Sequence, residues 1–374
     1  MISKVKFKVK QILKMAFQNL ILPCVYRFWA LVYRAREPQL VIFADAHHKT
    51  LPVSMERLHA ALVAKGYSVV DEICDFSAMS LLRQSLTSLR FMKRYAQAKY
   101  VFICDAFLPV ASCKKSKKTT VVQLLHSCGL LKKFGYDTTE DIPAGYIGHI
   151  YRNYDLVTVS APCCVEPLRN AMHQDDGIVQ ALGVSRTDNY FDEAWLEACR
   201  TRFYDRHPEA KGKTVILWAP TFRGNAGDPE QVGTEDICRL EQQLGDGYYV
   251  VKKVHPHVER KYPLSNCALE TEEILPVTDL LISDYSSVIN EFMFFEKPYV
   301  LFAPDLHDFE AKRGFYVPYG SLGPYIVTEA DALCGKVMEA LADKKPAWVA
   351  AQREFHLGSC DGHATERILE YLGL

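Results

Sequence analysis

The 374-residue chain has no C-x-x-C pair, no G-x-G-x-x-G, no G-x-x-x-x-G-K-[ST], no D-x-D and no low-complexity tract. Without the glycine fingerprints, dinucleotide-binding turns and P-loops are excluded. Without D-x-D, nothing points to an Asp-x-Asp clamp on a metal–nucleotide complex. The twelve cysteines are scattered, with Cys163–Cys164 the only close pair, and most lie in apolar runs. They read as reduced thiols of a cytoplasmic protein, in neither a disulfide framework nor a zinc site, and no metal or cofactor is expected. With 49% hydrophobic and 24% charged residues, disordered and fibrous classes are also excluded.

Acidic residues are missing from one end only. Residues 1–36 hold Lys4, Lys6, Lys8, Lys10, Lys14, Arg27, Arg34 and Arg36 and no acid, so against a net charge of −1 the rest of the chain totals −9. An acidic body makes nucleic acid an unlikely partner on electrostatic grounds. The apolar stretch 16–33 is interrupted by Gln18, Asn19, Pro23 and Arg27, which argues against a membrane span, and no cleavage site follows it, which argues against secretion. Its aromatic residues Phe17, Tyr26, Phe28, Trp29 and Tyr33 suit the headgroup layer of an anionic leaflet. Residues 1–36 are therefore expected to form a basic amphipathic segment that docks the protein peripherally on the cytoplasmic face of the membrane. The alternative is a helix packed on the body with a solvated lysine face.

From residue 39 onward, short β-rich runs alternate with longer mixed segments, the pattern of parallel sheets with crossover helices. Strands are expected near 39–44, 67–70, 99–104, 119–125, 155–160 and 178–182, and again near 214–219, 248–254, 279–283 and 298–302. Pro208–Lys213 reads as a linker, giving an α/β chain of two Rossmann-like domains, 37–207 and 208–374, facing a central cleft. Ligands of such folds lie outside the carboxyl ends of the strands.

Those ends carry chemistry. His126 follows the strand at 119–125 and can serve as a base near neutral pH, with Lys132 or Lys133 behind it for phosphate oxygens. His255-Pro256-His257 follows the strand at 248–254, where an imidazole could neutralise or protonate a leaving phosphate. Ser286 and Ser287 open a helix whose free N–H groups suit an anion, and Glu291 lies one turn on, in reach of ribose hydroxyls. Thr221 with Arg223, and Arg186, add a hydroxyl and two guanidinium groups at the same rims. Each motif alone also fits a turn histidine, a plain helix cap or a surface ion pair.

Together, in this order, they resemble the CDP-glycerol glycerophosphotransferase family of teichoic-acid primases and polymerases. The family's W-H-G-T-P-L-K-K-x-G is similar to Leu125–Gly135, its G-Y-P-R-N-D to Gly183–Asp188, its A-P-T-[FW]-R to residues 219–223 and its H-P-H to residues 255–257. Its D-x-L-I-T-D-Y-S-S-V and R-G-F-Y blocks resemble Asp279–Val288 and Arg313–Tyr316. Leu125 stands in place of Trp, and Ser127-Cys128-Gly129 departs from Gly-Thr-Pro with a one-residue insertion.

The resemblance implies a GT-B fold, a CDP-glycerol or CDP-ribitol donor, a polyprenyl-linked or polymeric acceptor, and release of CMP. It implies catalytic roles for His126 and His255, and donor binding by Arg186, Thr221, Arg223, Ser286, Ser287 and Glu291. A GT-B sugar transferase or UDP-sugar epimerase is the alternative within enzymes. A non-catalytic nucleotide- or polyanion-binding membrane protein is the alternative outside them.

Overall fold

Apolar runs rich in Val, Ile and Leu, covered on both faces, fold as parallel strands, and the chain makes two such sheets. The computed structural model describes residues 12–34 and 39–374, apart from residues 145, 147, 226 and 227. Lys4, Lys6, Lys8, Lys10 and Arg36, which carry most of the expected N-terminal charge, lie outside the described residues.

The first sheet holds β1 (Leu40–Asp45), β2 (Val69–Ile73), β3 (Ala98–Ile103), β4 (Thr120–Gln123), β5 (Leu156–Thr158) and β6 (Val179–Gln180) in the order β2-β1-β3-β4-β5-β6, all parallel. The second holds β7 (Thr214–Trp218), β10 (Tyr248–Lys252), β11 (Leu280–Ser283), β12 (Tyr299–Phe302) and β13 (Ile326–Val327) in the order β10-β7-β11-β12-β13, also parallel. A small antiparallel hairpin, β8 (Arg223–Asn225) and β9 (Asp228–Glu230), stands apart from both. In each sheet the winding reverses beside the first strand, between β1 and β3 and between β7 and β11. These are the points where open α/β sheets take ligands.

The chain divides into two compact units that exchange segments. One comprises residues up to His126, Gly135–Arg186 and His363–Leu374, and the other Ser127–Phe134 and Thr187–Gly362. The linker expected at Pro208–Lys213 thus falls inside the second unit. The helix Glu193–Arg206 buries Leu196, Cys199 and Phe203, and Arg202 pairs with Glu273 at 2.9 Å, which ties it to that unit. The C-terminal helix Ala364–Leu372 returns to the first sheet, where Ile368 and Leu369 join a core with Phe43, Leu58 and Phe102. Arg367 Nε donates to the carbonyl of Leu182 at 3.1 Å, and the hydroxyls of Ser185 and Thr365 meet at 2.9 Å.

The N-terminal helix α1 (Ile12–Val32, with a π-helical stretch at Phe17–Ile21) has a mean hydropathy of 1.3 over its most apolar window. Among the described residues it is the one helix long and apolar enough to cross a membrane by length and composition. Pro23 lies inside this helix, directly after the π-helical stretch, and the helix continues through it. The described part is an apolar helix that carries Lys14 and Arg27, and most of the basic residues expected of an amphipathic segment lie outside it. It buries Gln18, Leu22 and Tyr26, with Tyr26 packed on Tyr95 of α3 (Leu81–Tyr95, after α2 at Val53–Ala64), and exposes Ile12, Leu13, Leu20, Ile21, Phe28, Leu31 and Val32.

Candidate active site

In the first unit, three strands bring carboxylates and imidazoles to one rim. β1 ends in buried Asp45, whose Oδ1 accepts the backbone N–H groups of His47 and His48 and lies 2.8 Å from His48 Nδ1. Burial pushes this carboxyl up, and the hydrogen bonds from His48 and His47 outweigh it, so it stays below its ordinary pKa.

β3 leads to Cys104 and Asp105, and β4 to His126, whose Nδ1 lies 3.3 Å from the Cys104 carbonyl oxygen and 3.5 Å from Asp105 Oδ2. A carbonyl only accepts, so Nδ1 is the donor, and in the neutral imidazole this leaves Nε2 as the acceptor on a side chain that is 54% exposed. The preceding Leu125 has φ +56°, a strained value for a bulky residue, and this kink lifts His126 out of the strand direction. His47 Nε2 lies 3.9 Å from Asp105, placing a second imidazole on the same carboxylate. The sequence reading passed over Asp45, His47, His48 and Asp105. Asp45-Ala-His-His48 at the end of the first strand was the available signal.

In the second unit, β7 runs into Ala219-Pro220-Thr221-Phe222-Arg223. The Thr221 N–H donates to Asp284 Oδ1 at 2.7 Å and Ser283 Oγ to the Ala219 carbonyl at 2.7 Å, which sets the ends of β7 and β11 together. Arg223 is held by Asp305 through Nε (2.7 Å) and Nη2 (2.8 Å), and by Asp284 Oδ2 (2.9 Å). It also lies over the rings of Tyr285 (4.8 Å) and Phe309 (5.3 Å).

Burial alone would lower the Arg223 pKa, but the bonds to Asp305 and Asp284 raise it, while burial of Asp305 is outweighed by Arg223 so that this carboxyl sits low. The guanidinium, expected to meet the donor, already faces two carboxylates and orders the strand ends. Thr221 Oγ1 is buried without a hydrogen-bond partner among the described residues, an orphan hydroxyl at the rim.

His255 caps the helix Pro256–Lys261, its Nδ1 accepting the His257 N–H at 3.2 Å, and its ring packs on Phe222 at 4.6 Å. Nδ1 is thereby an acceptor, and the ring proton sits on Nε2. The two histidines of the rims are held in opposite tautomers.

Ser286 Oγ accepts the Val288 N–H at 3.4 Å, and Ser287 precedes the helix Val288–Phe292. That helix is five residues long, so its contribution to anion binding is its first N–H groups more than a macrodipole. Glu291 is 2% exposed and accepts the Tyr190 hydroxyl at 2.6 Å, so in this conformation it holds Tyr190. Arg186 is buried at the end of the first unit, in the 3-10 turn Ser185–Phe191.

The segment after His126 belongs to the second unit and pairs there with the Arg313–Tyr316 block, joining two motifs far apart in sequence. Lys132 bridges Phe315 in antiparallel register, the Lys133 N–H donates to the Gly314 carbonyl (3.1 Å), the Tyr316 N–H to Leu131 (2.8 Å), and Arg313 Nε to the Lys133 carbonyl (2.9 Å). Asn290 Nδ2 donates to the Cys128 carbonyl at 2.7 Å. Gly129 has φ +69°, and a Cβ there would lie 2.5 Å from the Asn290 amide, so any side chain in this part of the Ser-Cys-Gly departure is strained and must displace Asn290.

The buried His356 accepts the Leu130 N–H at its Nδ1 (3.2 Å), and burial lowers its pKa from 6.5 to about 4. The folded state binds this proton less readily than the unfolded one. His356 therefore contributes stability that is complete above pH 6.5 and lost as pH falls toward about 4. The loss approaches about 3 kcal/mol. Urea unfolding of His356→Gln, which keeps an acceptor without titrating, is expected to show a flatter acid limb over that window, and an unaltered limb would assign the acid sensitivity elsewhere.

A family model described as CDP-Glycerol:Poly(glycerophosphate) glycerophosphotransferase matches residues 27–373. The teichoic acid poly(ribitol-phosphate) polymerase of Bacillus spizizenii is 34% identical over 308 residues, 78% of this chain and 49% of that protein, so the chain spans about half its length. The teichoic acid ribitol-phosphate primase of the same organism is 28% identical over 293 residues, 74% of this chain and 75% of the primase. Among solved structures, the wall teichoic acid polymerase TagF superposes with a TM-score of 0.70 at 19% identity, covering 98% of this chain and 96% of that one, which establishes a GT-B-like fold. By the extent of the family match, with the His126, Thr221–Arg223, His255 and Asp284–Ser287 motifs all at strand ends, this chain belongs to the CDP-glycerol:poly(glycerophosphate) glycerophosphotransferase family.

Proposed function

We propose that the protein transfers a polyol phosphate from a CDP-activated polyol to a hydroxyl of a lipid-linked or polymeric acceptor in teichoic-acid-like polymer synthesis. The acceptor O–H gives its proton to His126 Nε2 as its oxygen bonds to the β-phosphorus, and the phosphoanhydride bond to CMP breaks. The Nε2–H of His255 donates to the departing phosphate. Thr221 Oγ1 and the N–H groups at Ser286 and Ser287 receive donor oxygens, and Arg223 holds the loop that presents them. The observation that carries this reading is the opposed tautomers, a lone pair on His126 and a proton on His255. Membership of the family supports it.

Both curated relatives described above are ribitol-phosphate enzymes, which puts CDP-ribitol ahead of CDP-glycerol as donor. The test is CMP release from CDP-ribitol, CDP-glycerol and a UDP-sugar with a membrane extract as acceptor. Turnover of a CDP-polyol is expected, and turnover of the UDP-sugar alone would move the protein to the sugar-transferase or epimerase class. The exposed apolar face of α1 further supports peripheral attachment to the cytoplasmic membrane surface, where a lipid-linked acceptor is anchored.

A further inference from the structure

Residues 114–118 read Lys-Lys-Ser-Lys-Lys, on the loop between the short helix Leu108–Ala111 and β4. Three sets of bonds pin this loop. Asn153 Nδ2 donates to the carbonyls of Val110 (2.7 Å) and Cys113 (2.6 Å), Lys115 Nζ donates to the Thr119 carbonyl (2.7 Å) and to Asp155 (2.9 Å), and the Ser116 N–H donates to the Tyr26 hydroxyl of α1 (2.7 Å).

The loop walls a cavity of about 650 Å³ in the first unit, lined also by Tyr136, His149, Arg152 and His173. The Tyr136 and His173 rings stack 4.0 Å apart, 6° from parallel, and form a flat aromatic wall. Lys114, Lys115, Lys117 and Arg152 line the cavity against the carboxylates Asp155 and Asp175, an excess of positive charge in a chain of net charge −1. Among the described residues Lys115 is paired with Asp155, whereas Lys114, Lys117 and Arg152 have no carboxylate partner. Burial first, and Arg152 second, keep the His149 imidazole below its ordinary pKa, so at neutral pH it adds a neutral hydrogen-bonding group.

The cavity sits at the amino ends of β4, β5 and β6, and His126 at the carboxyl end of β4. The seven residue steps from Thr119 to His126 span roughly 20 Å. The transfer chemistry therefore makes no use of it. Helix α1 borders it twice, through Tyr26 at Ser116 and through Gln18, whose Nε2 donates to the His149 carbonyl at 3.4 Å and whose Oε1 accepts from Tyr146 at 3.4 Å. Leu20, Ile21 and Phe28 of that helix are exposed.

We propose that this cavity binds the phosphate headgroup of an anionic lipid, with the lipid's acyl chains along the exposed apolar face of α1. Cations without a carboxylate partner, Arg152 among them with its Nε on the Ala111 carbonyl at 3.1 Å, together with a nearby imidazole suit a phosphate diester, and the bordering apolar helix selects a membrane-borne one over a soluble one. The inference rests on the membrane attachment proposed above and names its headgroup site.

The test is co-sedimentation of the full-length protein with phosphatidylglycerol or phosphatidylcholine vesicles, with folding checked by circular dichroism. The wild type is expected to prefer phosphatidylglycerol. The triple variant Lys114→Gln/Lys117→Gln/Arg152→Gln is expected to bind those vesicles roughly 100-fold more weakly, while Lys49→Gln/Lys65→Gln, exposed cations of the same unit outside the cavity, stays close to wild type.

Undiminished binding by the triple variant, or an equal loss in the control, overturns the headgroup site while leaving membrane attachment standing. No binding of the wild type to either vesicle overturns both. Leu20→Ser/Phe28→Ser is expected to weaken binding to both vesicles alike, which tests attachment by itself. Tight binding of inorganic phosphate in solution, lost in the triple variant, would assign the cavity to a free anion and overturn the lipid.

Discussion

His126→Ala is expected to slow CMP release from the CDP-polyol about 10³-fold at saturating donor, with donor affinity unchanged. The imidazole that it removes is the exposed one whose Nδ1 is tied to the Cys104 carbonyl and Asp105, so the loss falls on proton removal from the acceptor and not on nucleotide contacts. Asp105→Asn is expected to cost less, roughly tenfold, because the Cys104 carbonyl still accepts from Nδ1 and preserves the tautomer. Single-turnover CMP release beside an equilibrium donor titration separates the two quantities. A normal rate in His126→Ala would transfer the base to another residue, with His47 on the same carboxylate as the next to test.

Arg223→Ala is expected to give the largest loss of stability of any substitution at the second rim, about 3–5 kcal/mol, or roughly 10 °C in the melting temperature. The side chain is 13% exposed and Asp284 is 5% exposed, so removing the cation leaves buried carboxylates uncompensated. Arg223→Lys keeps the charge but cannot make the two-toothed bond to Asp305 together with the bond to Asp284, and an intermediate loss is expected.

The pH signature distinguishes this cluster from His356. Asp305 sits below its ordinary pKa, so its contribution is complete above pH 3.8 and is lost only as pH falls below that, on the acid side of the His356 window. Calorimetry of the two variants at neutral pH measures the effect directly. A melting temperature unchanged in Arg223→Ala would mean that the guanidinium is not an anchor and is available to the donor.

Much of the architecture was legible in the residues. Parallel strands buried on both faces must be continuous apolar runs, so QLVIFA, KYVFIC and TVILWA announced β1, β3 and β7, and the polar, chemically distinctive residues directly after such runs announced His126, Thr221, His255 and Ser286 as rim residues. The family motifs were legible for the same reason, because each is the short stretch in which a strand stops and a turn begins.

Other features depended on partners remote in the chain. Nothing local to Arg223 announces Asp305, eighty-two residues away, and a free guanidinium and a neutralised one have the same sequence. Glu291 is read as a ribose ligand until Tyr190 is seen on its carboxylate. The basic, interrupted N-terminus reads as a surface segment, yet its described part is a continuous helix whose polar Gln18 and aromatic Tyr26 turn inward to His149 and Ser116 with Leu22, while Leu20, Ile21, Leu31 and Val32 turn outward.

The sequence by itself determined the strands, the order of the motifs and the family they resemble, since these follow from hydrophobic period and from residue type at strand ends. Only the tertiary structure decided the exchange of segments between the units, the tautomers of the two histidines and the engagement of Arg223 and Glu291. Each of these depends on which distant group supplies a hydrogen-bond partner, and that is settled by packing and not by neighbours along the chain.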